Sequence, residues 1–391
     1  MGKRGIMGLI IDRANIDDIN ELIGLYLTIY GKDYPLEVGT NKDVMKKHIL
    51  DKDQTLWLLM RDTDSSTIAA SCIFELDLEY KIGKITGMTV NRSYRGRGLA
   101  KQLLGAGIDE VLHVGKKVHS LYATSRTIEV SSQKMLIANG LKPLGIFPNA
   151  RKIKHYETLT LMGIFGEGVL ERRSKVERVP PQMIPLYDSI GEVLGSEGHP
   201  DTGHACPVLK SDSSIEVSED DFEYIDAPMF VKKRFEETFK GDKESIFYPF
   251  HKPNLIISSE KCNLEIFASF SKKDHYCVLI TANNSIRDLE DQFKQLIFSM
   301  KEKGIYYIET LMRADYYEVI CFLLQNKFLP SALYPAMREE DGVMHDYVLL
   351  TRTMVPLDFS ETHIDDCFLP FVNQYVEQWV EMNLKSLGVN K

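Results

Sequence analysis

Cysteine is scarce in this sequence. Six are scattered over 391 residues (Cys72, Cys206, Cys262, Cys277, Cys321 and Cys367), with no C-x-x-C pair. That excludes a disulfide-built scaffold and a zinc-ribbon module, and it reads as an intracellular chain with reduced thiols. Long apolar runs are also missing. No segment approaches the roughly 18 to 20 apolar residues of a membrane span, so no membrane partner is expected. The basic start Met1-Gly-Lys-Arg leads into an apolar stretch that stops at Asp12, shorter than a signal peptide requires. Ile6 stands where a myristoylation signal carries Ser or Thr. A cytoplasmic location is the expectation. The third absence is an excess of positive charge. Lys and Arg number 47 against 56 Asp and Glu, a formal charge of −9, which argues against general nucleic-acid binding. What is present, 44% hydrophobic and 26% charged residues, is ordinary for a globular protein of two or three domains.

Between Leu9 and Phe165 strand and helix signals alternate. Ile16, Ile19, Leu22, Ile23, Tyr26 and Leu27 recur near helical spacing, with Asp17 and Asp18 in the first turn, where the helix dipole favours them. Strands are expected at 55–60, 67–80 and 84–90, a helix over 99–114, a strand at 118–123 and a helix at 131–138. Glu75, Asp77 and Glu79 alternate with apolar residues and are read as one strand face. From Gly166 to Pro228 the composition changes. Pro180-Pro181 precedes a short helix at 183–194, and Ser211 to Asp226 holds seven acidic residues and no basic one, as an exposed connector would. After Asn254 the order strand, strand, helix, strand, helix, strand, strand repeats that of residues 67–164. Ala138-Asn-Gly-Leu-Lys-Pro-Leu and Gln325-Asn-Lys-Phe-Leu-Pro-Ser occupy the same joint. This reads as a diverged internal duplication.

The sharpest feature is Met88-Thr-Val-Asn-Arg-Ser-Tyr-Arg-Gly-Arg-Gly-Leu-Ala-Lys. A strand runs into a glycine-bearing turn that opens at once into an apolar-periodic helix. Glycine lets backbone N–H groups approach an anion without a Cβ in the way, and the helix N-terminus adds its positive dipole end. Residues 81–117 hold eight basic and two acidic side chains. A strip of local charge +6 in an acidic chain suits a small, multiply negative ligand. A glycine turn beside a merely solvated basic face is the alternative, and the strand–turn–helix order weighs against it.

Arg95-x-x-Gly98-x-Ala100 resembles the pyrophosphate loop of the GNAT superfamily of N-acetyltransferases, and Ser132 to Gly145 resembles that family's later helix and Gly-Phe joint, with Gly140-Leu141 in its place. The resemblance is good over 8–165 and weak over 254–353. It implies an α+β fold of tandem GNAT-like domains, each a mixed, mostly antiparallel twisted sheet flanked by helices. The expected divisions are an acetyl-CoA-binding catalytic domain at 8–165, a connector with the acidic segment at 166–228 and a second, degenerate domain at 229–391. It also implies that Arg95, Gly96, Arg97, Gly98, Leu99 and Ala100 hold the pyrophosphate and that backbone groups of Met88 and Val90 pair with the pantetheine arm. Ser132 would lie near the thioester, and the Met88 N–H would serve as oxyanion donor.

The implied activity is transfer of an acetyl group from acetyl-CoA to a primary amine of a small metabolite by direct attack. A protein or peptide acceptor is the alternative, and a non-catalytic acyl-CoA sensor a third reading. The last gains from two departures: Lys84 stands where the family often has a glutamate base, and Leu136 where it often has a tyrosine acid. Glu75, Glu79 and Tyr122 are the substitute candidates, each with a structural alternative as a solvated strand residue or a core tyrosine. The second half has Ala282-Asn-Asn-Ser in place of the glycine loop and is expected to shape the cleft, pair two copies in a homodimer or simply stabilise the first half. His199, His204 and Cys206 lack a second metal-ligand pair, so no metal is expected.

Overall fold

The computed structural model describes residues 8–31, 36–195, 198–206, 222–289 and 291–386. They form two compact units. Unit 1 holds the described residues up to Thr124 with Ser131–Lys142 and Met162–Glu171. Unit 2 holds Ser125–Val130, Pro143–Leu161 and the described residues from Arg172 onward. Both are mixed α and β, with mostly antiparallel sheets.

In unit 1 strand β1 (Leu9–Arg13) pairs antiparallel with β2 (Thr55–Asp62), β2 with β3 (Ile68–Asp77), and β3 with β4 (Ile82–Val90). β4 pairs in parallel with β5 (Ser120–Arg126). A parallel join needs a long crossover, and α3 (Leu99–Ile108) supplies it before widening into a π turn at Asp109–His113. That turn corrects the expectation of one uniform helix over 99–114. Helix α1 (Ile19–Tyr30) is launched by a 3-10 turn in which Asn15 and Asp18 cap each other's backbone N–H groups. With α2 (Lys42–Leu50) it packs Leu22, Tyr26 and Met45 against Trp57 and Ile73. On the opposite side of β3 lies Phe74, and α3 comes so close that a Cβ at Gly107 would stand 2.1 Å from that ring. Helix α4 (Ser131–Ile137) completes the unit.

Unit 2 includes β6 (Lys142–Lys152, from Pro143) and β7 (Tyr156–Phe165, to Leu161), the short pair β8 (Arg178–Val179) and β9 (Asp201–Thr202), α5 (Ile184–Leu194), β10 (Glu223–Ile225) and α6 (Pro228–Thr238). There follow β11 (Leu255–Ser259), β12 (Leu264–Ser271), β13 (Tyr276–Ala282), α7 (Asp291–Glu302), β14 (Tyr307–Arg313), α8 (Tyr317–Gln325), β15 (Leu329–Glu340), β16 (Val343–Thr353) and α9 (Leu369–Ser386). Its strand order is β7-β6-β15-β16-β14-β13-β12-β11-β10. Within it β11, β12 and β13 are antiparallel neighbours and β13–β14 is parallel, the same succession as β2 to β5.

These units do not follow the divisions 8–165, 166–228 and 229–391. Residues 143–161 count with unit 2 because Gly145 of β6 pairs with Ala332 of β15, the Ser331 hydroxyl donates to the Ile146 carbonyl, and Asn149 reaches the Pro356 carbonyl. The expected connector is largely part of unit 2 as well: Leu186, Tyr187 and Ile190 of α5 are buried, and α5 packs on β15 and α9. Of the acidic segment, residues 211–221 lie outside the described residues. The thiols also need a correction. Gly203 is pressed against Tyr317, whose hydroxyl donates to the His204 carbonyl, and this contact brings Cys206 to Cys321 in a disulfide with Cα atoms 5.4 Å apart. A partner 115 residues away leaves no trace in local spacing.

Candidate active site

β4 and β5 are in register from Ile82↔Ser120 to Ile85↔Ala123, and the pairing stops there. The rest of β4, Thr86 to Val90, therefore has an edge towards β5 with no strand partner in that register. On its other edge β4 carries a bulge. Ser71 faces Thr89 and Ile73 faces Thr86, so Gly87 and Met88 together oppose Cys72. Gly87 has φ +60, and a Cβ there would lie 2.8 Å from the Tyr26 hydroxyl and from Ile73. Only glycine fits both demands.

The strand ends in a loop braced at several points. Asn91 caps the turn at Ser93, and Arg92 reaches the Thr28 carbonyl. The Tyr94 hydroxyl donates to Asp62 at 3.0 Å. The Ser65 N–H and that hydroxyl hold the Asp62 carboxyl below its ordinary range. The Arg97 guanidinium lies 5.2 Å from the Tyr94 ring centroid. Gly96 and Gly98 have φ +77 and +71, with nothing within 4 Å of where a Cβ would be. Gly98 caps α3 from the left-handed region and offers no side-chain acceptor, so the first-turn N–H groups after it lack an intrahelical or capping partner. Arg95, Gly96, Arg97 and Gly98 are exposed, Leu99 is buried and Ala100 half-buried. The cradle is thus open, lined by N–H groups and flanked by guanidinium groups, a fit for an anion. Met88 and Val90, at alternate positions on the unpaired edge, are half-buried.

The acid–base candidates separate. Thr55, Glu75, Lys84 and Tyr122 form one register row across β2, β3, β4 and β5. Lys84 therefore stands between Glu75 and Tyr122, one residue before the strands part. Glu79 is not on that face. β3 ends at Asp77, whose carboxylate accepts the N–H groups of Glu79 and Tyr80 and turns the chain, leaving Glu79 exposed in the turn. Tyr122 is buried, Ser132 is half-buried at the second position of α4, and Leu136 is buried in the core. The sequence reading missed Tyr26 and Tyr30, one turn apart on α1. Their hydroxyls donate to the carbonyls of Gly87 and Met88, each at 2.6 Å. Two tyrosines on an otherwise aliphatic helix stripe were the available signal.

Unit 2 contains a comparable parting. β13 and β14 pair from Tyr276↔Tyr307 to Leu279↔Thr310 and then diverge, leaving a cavity of about 280 Å³ lined by Leu279, Ile280, Leu311, Met312, Arg313 and Tyr347, among others. The loop beyond it differs in chemistry. The Asn283 and Asn284 side-chain amides donate to the Asn263 carbonyl, and Asn283 also accepts the Glu265 N–H. Arg313 is engaged by Asp315 at 2.7 Å and Glu340 at 2.9 Å. A second cavity of about 250 Å³ is lined by Arg126, Lys154, His155, Tyr156, Glu157 and Glu361, with other residues. In it Arg126 grips Glu157 through two hydrogen bonds of 2.7 and 2.6 Å. Among the described residues no three His, Cys, Asp or Glu side chains converge as a metal site, and no helix is long and apolar enough to cross a membrane.

Residues 19–135 match the acetyltransferase (GNAT) family, a span from the start of α1 into α4. Among solved structures, a variant of the spermidine N-acetyltransferase SpeG from Vibrio cholerae is similar at 13% identity and TM-score 0.37, covering 42% of this chain and 96% of that one. A ribosomal-protein-S5-alanine acetyltransferase from Vibrio fischeri is similar at 14% identity and TM-score 0.37, covering 43% and 98%. A GNAT acetyltransferase from Streptococcus pneumoniae gives 19% identity and TM-score 0.35, covering 40% and 99%. No curated protein matches the chain.

Proposed function

From the match of residues 19–135 to the acetyltransferase (GNAT) family, we propose that the protein transfers an acetyl group from acetyl-CoA to a primary amine of a small metabolite. The observation that carries this reading is the end of β4–β5 pairing after Ile85↔Ala123, followed directly along β4 by a glycine-capped helix N-terminus. An extended, amide-bearing arm can pair with the free edge of β4 at Met88 and Val90. Its pyrophosphate meets Arg95 and the N–H groups of Arg97, Gly98, Leu99 and Ala100.

Direct attack needs a neutral amine, a donor for the developing oxyanion and a proton for the departing thiolate. The Met88 N–H, on the bulge, is the oxyanion donor. Glu75 takes up the amine's proton, and Tyr122 supplies the thiolate's. Lys84 stands between them in the row. Unit 2 is a diverged second copy of the fold, on the ground of its repeated strand succession.

One feature favours a second reading, an acyl-CoA-binding protein without turnover: Lys84 and Leu136 stand where the family resemblance would place a base and an acid. Calorimetry with acetyl-CoA followed by free-thiol release against an amine panel and a peptide panel separates the readings. Binding with amine-dependent release supports a metabolite acetyltransferase. Release with peptides alone supports a protein acetyltransferase, and binding without release supports the sensor. Failure to bind acetyl-CoA refutes all three.

A further inference from the structure

Tyr26 of α1 is fully buried, and its hydroxyl lies 2.6 Å from the Gly87 carbonyl and 3.3 Å from Ser71 Oγ. Ser71 Oγ in turn accepts the Trp57 indole N–H at 2.8 Å. A phenol has one proton to give. The shorter contact, to a carbonyl that can only accept, takes it, so Ser71 donates to Tyr26. The chain of donors then runs in one direction, from Trp57 to Ser71 to Tyr26 to Gly87, and all four residues are buried.

That peptide is the one whose nitrogen belongs to Met88. In a trans peptide the C=O and the next N–H point in opposite directions. No cis bond occurs among the described residues. A carbonyl drawn towards α1 therefore turns the Met88 N–H away from α1. We propose that Tyr26 is a positioning residue for the Met88 N–H, holding the Gly87–Met88 peptide plane and, by hydrogen-bonding its oxygen, sharpening the N–H as a donor. Gly87 has φ +60 and would bring a Cβ to 2.8 Å from the Tyr26 hydroxyl, so the close approach is built into both partners. Tyr30 holds the following carbonyl, that of Met88, at 2.6 Å, and this fixes the next peptide rather than the donor. The catalytic part of the inference rests on the acetyltransferase reading; the geometric part does not.

The sequence offers an unusually clean probe. Gly-Met occurs once in the chain, at Gly87-Met88, so protein carrying carbonyl-¹³C glycine and ¹⁵N methionine gives one carbonyl-edited amide signal, that of Met88. Tyr26→Phe keeps the ring and removes the hydroxyl. The expected result is a displaced Met88 signal, with kcat lowered about 10- to 100-fold, the range below outright loss of an oxyanion donor. KM for acetyl-CoA stays within about twofold of wild type. Ile49→Val thins the same core without touching the bulge; it should lower the melting temperature while leaving both the Met88 signal and kcat unchanged. An unmoved Met88 signal in Tyr26→Phe overturns the geometric claim. A moved signal with unchanged kcat in an active enzyme overturns the catalytic one. If wild type proves inactive, the acetyltransferase reading and the catalytic claim fall together, while the Met88 signal still decides the geometry.

Discussion

Replacing Gly98 by aspartate tests the phosphate cradle most directly, because the cost in folding and the cost in binding can be told apart. Gly98 sits at φ +71 and ψ 17, a left-handed conformation, with no atom within 4 Å of an added Cβ. Most side chains lose roughly 1–2 kcal/mol there, but Asn and Asp tolerate it. Neither Gly98→Asn nor Gly98→Asp should therefore disturb the fold much. Aspartate adds one negative charge beside the N–H groups proposed to meet the pyrophosphate. At about 4 Å from a phosphate charge the repulsion is about 1 kcal/mol in water-like surroundings and about 4 kcal/mol at an effective dielectric of 20. That corresponds to a loss of about 5- to 1,000-fold in affinity. Titration calorimetry with acetyl-CoA should show Gly98→Asp within that window and weaker than Gly98→Asn. With S-acetyl-pantetheine, which has no phosphate, the two variants should bind alike. Equal affinity of Asp and Asn for acetyl-CoA, or the same loss with S-acetyl-pantetheine, would refute a phosphate site at this helix end.

Other expectations follow from the same geometry. Arg95→Ala should weaken acetyl-CoA binding by about tenfold, as loss of one charge-assisted contact would, whereas Asn284→Ala should leave it unchanged by the same titration. Gly107→Ala should destabilise unit 1 by about 1–3 kcal/mol through collision with Phe74; combining it with Phe74→Leu should recover part of the loss in chemical denaturation, and strict additivity would discredit the contact. His275, bonded to the Tyr156 hydroxyl at 2.9 Å, is held below its ordinary pKa by burial and by Lys152. Its neutral form is favoured in the folded state, so its contribution is complete above the unfolded value near 6.5 and is lost as pH falls through the lower folded value. Melting temperatures from pH 8 to pH 5 should decline less steeply in His275→Gln than in wild type, and parallel curves would contradict this.

The strand–turn–helix around Gly98 could be read from the sequence because every determinant lies within about a dozen residues. The parallel β4–β5 pair follows from α3 lying between its strands. Other features could not be read so. The alternation of Glu75, Asp77 and Glu79 continues past the point where β3 stops, because the Asp77 side chain captures two backbone N–H groups and turns the chain. The Tyr26–Gly87 bond spans 61 residues and the Cys206–Cys321 bond 115, and neither has a periodicity to betray it. Residues 143–161 pattern like the closing strands of the first half. Their allegiance to unit 2 is decided by Gly145 against Ala332, where a Cβ would come within 2.2 Å of its neighbour.

The two partings separate what topology supplies from what sequence supplies. Both units join a strand in parallel to the one that follows a crossover helix, keep four register pairs, and then diverge. A slot between diverging strands thus comes with the fold and says little about ligand. Selectivity enters at the far end. In unit 1 the chain leaves β4 through two glycines of positive φ into an N-terminus with no side-chain cap, and arginines flank it. In unit 2 Asn283 and Asn284 bind the loop to the β11–β12 turn, and Arg313 near the slot is committed to carboxylates. The N–H groups and cations that would receive a phosphate are present in the first case and spent in the second. A graft of residues 95–100 in place of 283–288 should therefore not create an acetyl-CoA site, since Arg313 would still face Asp315 and Glu340. Calorimetric binding of acetyl-CoA to the graft, in a chain also carrying Gly98→Asp, would show the loop alone to be sufficient and would overturn that argument.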